Sequence, residues 1–433
     1  MTVVARGVGR RWGEREVLAG VDLEVAPGEV VGVVGPNGGG KSTLLLVLAG
    51  LVRPTAGAVT VDGVPAADLV GTGAVGLITA EPGLYPLLTG WENLRFFAGL
   101  HGATAIDAAA AAVLAELRVE PALMDARVAT WSSGTRQKVS LARALLLGPR
   151  VLLLDEPTSH LDPVAARQLH QVVRARADAG AAVVVVTHDL HAAEHVCDRV
   201  VGLDRRVVGE RAGRRAVPPA SPLLALFPAA EEAGAPAAEV ATALRPGWAR
   251  VLHVARREWR EQGRQPAMLA ALAVLYAVVA GLVGFGVLAL DRVQGQALGM
   301  DLVTRLLAVA PSALAVRALG GFAFLAFTQL LGVVAVGGGH ALLHDRQCGT
   351  LVFLLLAPLR RVELLTGKVL GVLGWPLLLY AAIDGVATVG LALVPISRAA
   401  PELTASSAGF WVAFGLGAPA WAGLLGAVGT MLS

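Results

Sequence analysis

The stretch Glu29-Val-Val-Gly-Val-Val-Gly-Pro-Asn-Gly-Gly-Gly-Lys-Ser-Thr-Leu-Leu-Leu-Val-Leu-Ala-Gly50 decides the fold of the first half of the chain. Glu29 to Val34 reads as a buried parallel strand, a short β-branched run bounded by glycines. Leu44 to Gly50 reads as a helix. Between them Gly35, Pro36, Asn37, Gly38, Gly39, Gly40, Lys41, Ser42 and Thr43 form the pattern G-x-x-x-x-G-K-S-T. A strand, a glycine loop and a helix in that order make a phosphate cradle, because backbone N–H groups can turn inward where side chains would block them. The helix N-terminus adds its partial positive charge. Lys41 is placed to reach β- and γ-phosphates, and Ser42 to ligand Mg²⁺. Of 36 basic residues only Lys41, Lys138 and Lys368 are lysines, so a lysine in this slot is not compositional drift.

Two further apolar strands end in polar tips. Arg150-Val-Leu-Leu-Leu-Asp-Glu-Pro-Thr158 ends in paired carboxylates. Asp155 suits a Mg²⁺ contact, direct or through water, and Glu156 suits a general base acting on the attacking water. Ala181-Ala-Val-Val-Val-Val-Thr-His-Asp189 places His188 at a strand end, where it can sense a γ-phosphate. Ligands of open α/β sheets sit outside the carboxyl ends of strands, so these tips and the glycine loop are expected to share one site.

Together these residues resemble the ATP-binding-cassette (ABC) ATPases, with the likeness covering residues 2 to about 208. The resemblance implies an α/β P-loop ATPase with a RecA-like core and antiparallel β and helical subdomains, using ATP and Mg²⁺. Trp12 stands where the family places an aromatic that stacks on adenine. Trp131-Ser-Ser-Gly-Thr135 stands at the signature: Ser132 and Gly134 match the family pattern, Ser133 and Thr135 do not. Ser159-His-Leu-Asp162 resembles the D-loop, which brings Asp162 to the nucleotide, and His188 resembles the switch histidine. The family arrangement implies two cassettes head to tail, each Lys41 facing the other chain's Ser132. At the Q-loop, Ala80 occupies the expected glutamine slot with Glu81 next; either Glu81 substitutes or the link from nucleotide to membrane domain is altered.

The rest of the chain has a different composition. Over all 433 residues, 55% are hydrophobic and 16% charged, against about 25% charged in a typical soluble domain. Mean hydropathy is +0.64. These values exclude a disordered chain. Two cysteines exclude a disulfide scaffold. A net charge of +3 gives no reason to expect a nucleic-acid partner. The opening Met1-Thr-Val-Val-Ala-Arg has no apolar run behind a basic start, so no signal peptide is expected and the first domain should be cytosolic. Residues 1–211 form the expected ATPase domain, and a Pro/Ala-rich linker follows over 212–247.

The expected membrane domain covers 248–433, all-α, with about four spans near 268–290, 319–343, 369–394 and 410–432. Arg256, Arg257, Arg260 and Arg264, with Trp248 and Trp259, mark an amphipathic entry segment on the cytosolic side. Arg346, Arg360, Arg361 and Lys368 put the segment between the second and third spans in the cytosol as well. That segment, beginning Asp345-Arg-Gln-Cys-Gly-Thr, resembles the loop of type-two ABC export permeases that meets the cassette, making Arg346 and Glu81 coupling candidates. Such permeases usually have six spans, so either two are missing here or the chain is a short form. The composite expectation is a half-transporter in the cell membrane, acting as a homodimer or with a partner ABC subunit, that exports an unidentified substrate; the alternatives are a truncated membrane ABC subunit that binds ATP but needs a partner permease, and a non-transport ABC-family ATPase.

Overall fold

The computed structural model describes residues 1–212, 246–264, 341 and 343–372. Most of the linker and nearly all of the four expected spans lie outside the described residues. Among the described residues no helix is long and apolar enough to cross a membrane. Two compact units are distinguished. One holds the described residues of Met1–His253 and Leu342–Arg360, the other those of Val254–Ala341 and Arg361–Ser433.

The first unit is built on two sheets. Strands β1 (Val3–Trp12), β2 (Arg15–Val25), β4 (Ala56–Val61) and β5 (Val64–Pro65) form an antiparallel sheet in the order β2-β1-β4-β5. The second sheet has the order β10-β9-β3-β8-β7-β6, using β3 (Val30–Val34), β6 (Val75–Ile78), β7 (Val151–Asp155), β8 (Ala182–Val186), β9 (Arg199–Asp204) and β10 (Arg206–Ala212). Its five strands from β9 to β6 are parallel, and β10 pairs antiparallel at the edge. Every residue of β3, β7 and β8 is buried, as expected of central strands covered on both faces.

Register then aligns the strand ends. Val186 on β8 pairs with Val33 on one side and with Asp155 on the other. Backbone bonds continue the alignment past the strands, from Glu156 N to Val186 O at 2.9 Å and from Thr187 N to Val33 O at 3.2 Å.

The helices start where local chemistry lets them. Helix α1 (Lys41–Leu48) begins after Gly40, whose φ of 95° lies in the left-handed region. Helix α2 (Gly90–Leu100) starts at a reciprocal cap between Thr89 and Glu92. The alanine-rich α3 is Asp107–Glu116. Helix α4 (Ser133–Leu145) is capped by Ser132, and α5 (Pro163–Asp178) by Asp162 with proline in its first turn. Helix α6 (Leu190–Val196) leads to Cys197, whose thiol faces Gly32 so closely that a Cβ there would lie 2.9 Å from it.

Helix α7 (Gly247–Gly263) and α8 (Leu351–Leu356) complete the named elements; residues 361–372 are also helical. In α7 the entry segment is a helix as expected, with Arg256 and Arg260 exposed but Arg257, Glu258 and Glu261 turned inward. Within the second unit Arg257 bridges Glu258 at 2.8 Å and Glu261 at 2.7 Å, and Lys368 Nζ reaches Glu258 at 2.6 Å. All four side chains are buried, while Trp248 and Trp259 are exposed. Two positive and two negative groups neutralise one another, which is what makes their burial tolerable. Lys368→Met is expected to leave one buried carboxylate, that of Glu258, without its counter-charge and to cost about 3–5 kcal/mol. Adding Glu258→Gln to that variant should recover part of the loss, as read by thermal melting of the full chain.

In the first unit, burial holds His101 and His170 down to about 4. Both are therefore neutral when folded near neutral pH, whereas an unfolded histidine protonates near 6.5. The folded form binds fewer protons in this window, so the stability these residues confer is full above about pH 6.5 and is lost as pH falls toward about 4. The melting temperature of the full chain should drop across that window. The His101→Gln/His170→Gln double variant should flatten the slope.

Candidate functional site

The glycine loop is held against the strands around it. A Cβ on Gly35 would lie 2.0 Å from the backbone oxygen of Leu203, and one on Gly40 would lie 2.7 Å from that of Val17. The loop therefore needs glycine at both places for close approach to β9 and β2, besides leaving its own backbone open. Lys41 curls back over the loop, its Nζ donating to Gly35 O at 2.8 Å and Pro36 O at 3.0 Å. Both acceptors are neutral carbonyls, so an anionic phosphate is a stronger partner for the ammonium. Pro36, Asn37, Gly38 and Ser42 are exposed, and the first N–H groups of α1 have no partner within the helix.

At the end of β7, the Asp155 carboxyl is buried, and its affinity for a proton is raised mainly by desolvation. A hydrogen bond from Ser42 and the charge of Lys41 oppose that rise, and neighbouring Glu156 adds to it. A hydroxyl and a desolvated carboxylate held together offer the hard oxygen ligands Mg²⁺ prefers, so this donor set fits the ion.

One residue on, Glu156 has a φ of 48°, unusual for a side-chain-bearing residue and costly unless its surroundings enforce it. That turn aims Glu156 at His188, with Oε2 2.8 Å from Nδ1. His188 is well exposed and Glu156 mostly buried. The arrangement can hold a water beside a carboxylate whose orientation is fixed by the imidazole.

The signature residues lie at the start of α4. Ser132 Oγ accepts from Thr135 N at 3.1 Å and lies 2.9 Å from the Thr135 hydroxyl. Thr135, a departure from the expected glutamine, thus completes the cap. Gly134 packs on the D-loop, where a Cβ would lie 3.1 Å from His160 O. Asp162 has a local role as well: its carboxylate caps α5 through Val164 N and Ala165 N, both at 2.9 Å. Trp12 is half exposed, with the Arg10 guanidinium 4.0 Å over its ring, so one face is already covered.

A family model described as ABC transporter matches residues 18–159, and one described as ABC-2 family transporter protein matches residues 252–433. An aliphatic sulfonates import ATP-binding protein, SsuB 1 of Xanthomonas axonopodis pv. citri, is 39% identical over 45% of this chain and 77% of its own. The chain belongs to the ABC transporter family. It joins the ATPase cassette and an ABC-2 membrane domain in one polypeptide. The uncharacterized ABC transporter ATP-binding protein YdbJ of Bacillus subtilis is 37% identical over 45% of this chain. The Nod factor export ATP-binding protein I of Rhizobium etli is 34% identical over 46%. This chain spans 64% and 63% of the lengths of those two relatives. Among solved structures, the cassette MJ0796 in a dimeric post-hydrolysis state with ADP and Pi matches 48% of this chain and 98% of its own, at 29% identity and a TM-score of 0.45.

Beside the cassette's Ser42 and Asp155 lies a cavity of about 250 Å³ that runs along Ile78, Ala80 and Glu81 to Gly349 and Val352. Ala80, in the Q-loop slot, contributes only a methyl group to it. Glu81 is exposed, and Arg346 likewise. The coupling candidates are thus surface groups, and the buried contacts of this segment are made by others. Asp345 and Thr350 tie the turn before α8, with Thr350 N donating to Asp345 O at 2.9 Å. Phe353, Leu354 and Ala357 are buried.

Sequence reasoning missed Phe353 and Arg143, which meet here. It also missed the inward Lys368, although the scarcity of lysine that singles out Lys41 applies equally to that residue. Asp155→Asn removes a charge that burial disfavours, so the nucleotide-free chain should melt at the wild-type temperature or above. Its Mg²⁺-dependent nucleotide affinity should fall by about 10- to 100-fold. Binding of a fluorescent ATP analogue, with and without Mg²⁺, measures this.

Proposed function

We propose that the chain is an ATP-hydrolysing half-transporter of the cell membrane, with the cassette on the cytoplasmic side, that exports an unidentified substrate. The observation carrying this reading is the 2.8 Å bond between Glu156 and His188 beside the Ser42–Asp155 pair, in a chain that continues into an ABC-2 membrane domain.

Lys41 and the loop amides bind the β- and γ-phosphates of ATP, and Ser42 and Asp155 hold Mg²⁺. Bound Mg²⁺ supplies charge neutralisation at the phosphates. Glu156 takes a proton from water as the water oxygen bonds to the γ-phosphorus and the bridging P–O bond breaks, releasing ADP and phosphate. His188 keeps the carboxylate aimed and contacts the γ-phosphate from the end of β8. Ser132 and the backbone of Gly134 meet the γ-phosphate of a second cassette, with Asp162 at the same seam, so the working unit is a homodimer or a pair with another ABC subunit. Trp12 stacks on adenine with the face that Arg10 leaves open. Export, rather than import, is supported by the likeness of the Asp345–Lys368 segment to export permeases; the cassette relatives include proteins named for each direction.

Glu156→Gln keeps the hydrogen bonding but removes the base. ATP turnover by the reconstituted chain should fall by about 10²–10⁴-fold with ATP affinity retained. Turnover at the wild-type rate would overturn this assignment.

A further inference from the structure

Arg143 has unusual surroundings for a guanidinium. It lies on the buried face of α4, ten residues after the signature begins to wind into helix, and is only 7% exposed. Among the described residues no carboxylate pairs with it. Its polar partners are the carbonyl of Gly83, through Nη1, and the Ser140 hydroxyl at 3.2 Å, through Nη2. Its cationic face is covered by two aromatic rings, Phe353 with the centroid 3.3 Å from Cζ and Phe97 at 4.9 Å. Burial pushes its pKa down to about 9, which still leaves it charged at neutral pH. A desolvated cation between aromatic faces gains several times what an exposed one does, which explains how the charge is carried there.

The three groups it joins come from different parts of the unit. Phe97 lies on α2, Gly83 on the segment that follows the Ala80 slot, and Phe353 on α8, which belongs to the ABC-2 portion of the sequence. The fit of α8 against that segment requires two glycines. A Cβ on Gly83, where φ is 60°, would lie 2.0 Å from the Phe353 ring, and one on Gly349, where φ is 69°, would lie 2.8 Å from Glu81 Cβ. Phe353 is therefore seated directly on backbone, with the Arg143 guanidinium over it.

We propose that Arg143 is a positioning residue that couples the signature helix to α8, carrying the nucleotide-dependent movement of α4 through its contact with Phe353 in a cassette whose Q-loop slot holds only Ala80. This rests on the transporter reading above. Movement of α4 when a second cassette closes on Ser132 displaces the guanidinium, and Phe353 must follow because its ring is held between Arg143 and Gly83. No side chain at position 80 is needed for that route.

The chain contains its own reporter. Of its two cysteines, Cys197 is buried with its thiol pushed up to about 12, whereas Cys348 is partly exposed on the turn leading into α8. The rate of maleimide labelling at Cys348 is measured on the full chain in lipid nanodiscs, with and without Mg²⁺ and a slowly hydrolysed ATP analogue. Cys348→Ser provides the blank. Labelling of the wild-type chain should change with nucleotide. In Phe353→Leu, which keeps an apolar side chain without the ring, and in Arg143→Lys, which keeps the charge without the plane, analogue affinity and nucleotide-free labelling should stay near wild type. The nucleotide response should be lost by about tenfold, the scale of one desolvated cation–π contact. Two variants guard against one failing to fold, and melting temperature identifies such a failure. A response preserved in a folded variant of either kind would overturn the role of Arg143 and leave the transporter reading standing. A wild-type Cys348 indifferent to nucleotide would overturn both the coupling and this route, while the Glu156→Gln turnover measurement still judges the ATPase by itself.

Discussion

The cassette depends on the register of one strand. With Val186 opposite both Val33 and Asp155, the glycine loop, the paired carboxylates and His188 leave the sheet at one level. A shift by one residue would turn Asp155 to the other face of the sheet and part Glu156 from His188. The apolar faces of β3, β7 and β8 fix that register, because each is buried on both sides and any slip would move a large side chain out of its packing. The polar chemistry therefore rests on an apolar constraint. The left-handed turn at Glu156 is tolerable because its N–H is bonded to Val186 O, at the same level of the sheet.

Much of this was legible in the sequence, for identifiable reasons. The strand before the loop, the strand before Asp155 and the strand before His188 are uninterrupted apolar runs with polar tips, and such runs have few alternative placements in an α/β sheet. The loop is equally readable because glycine and lysine at fixed spacing serve backbone geometry rather than packing. Asp162 shows what local pattern adds to family likeness: its carboxylate caps the N–H groups of α5, as Asp before Pro163 would suggest from capping chemistry alone. Thr135 is the converse, a departure from the family pattern that the Ser132 cap accommodates.

What was not legible is long-range and polar. Arg257, Glu258 and Glu261 lie within one turn or so of α7, and on charge alone they read as a wetted face. Their burial follows from Lys368, which is 110 residues away from Glu258. Arg143 is hidden in the same way. On α4 it is one arginine among several basic residues, and its setting depends on an aromatic side chain 210 positions later that no local pattern links to it. In both cases the residue that decides the environment comes from the ABC-2 part of the sequence.

These two clusters solve a buried-charge problem by different means, and the difference bears on what each can do. The group around Arg257 is neutralised by carboxylates at 2.6–2.8 Å, an arrangement with a steep distance dependence that favours a fixed geometry. Among the described residues Arg143 has carbonyl, hydroxyl and ring partners and no carboxylate to fix its direction, so the guanidinium and the Phe353 ring can move together. A contact of that kind suits a joint that must shift without breaking. It stands where α4, whose N-terminus carries Ser132, meets α8. The ion network, by contrast, suits the anchoring of α7 to the helix carrying Lys368. The chain thus places its rigid charge pairing between α7 and the helix carrying Lys368, and its adaptable contact between the signature helix and α8.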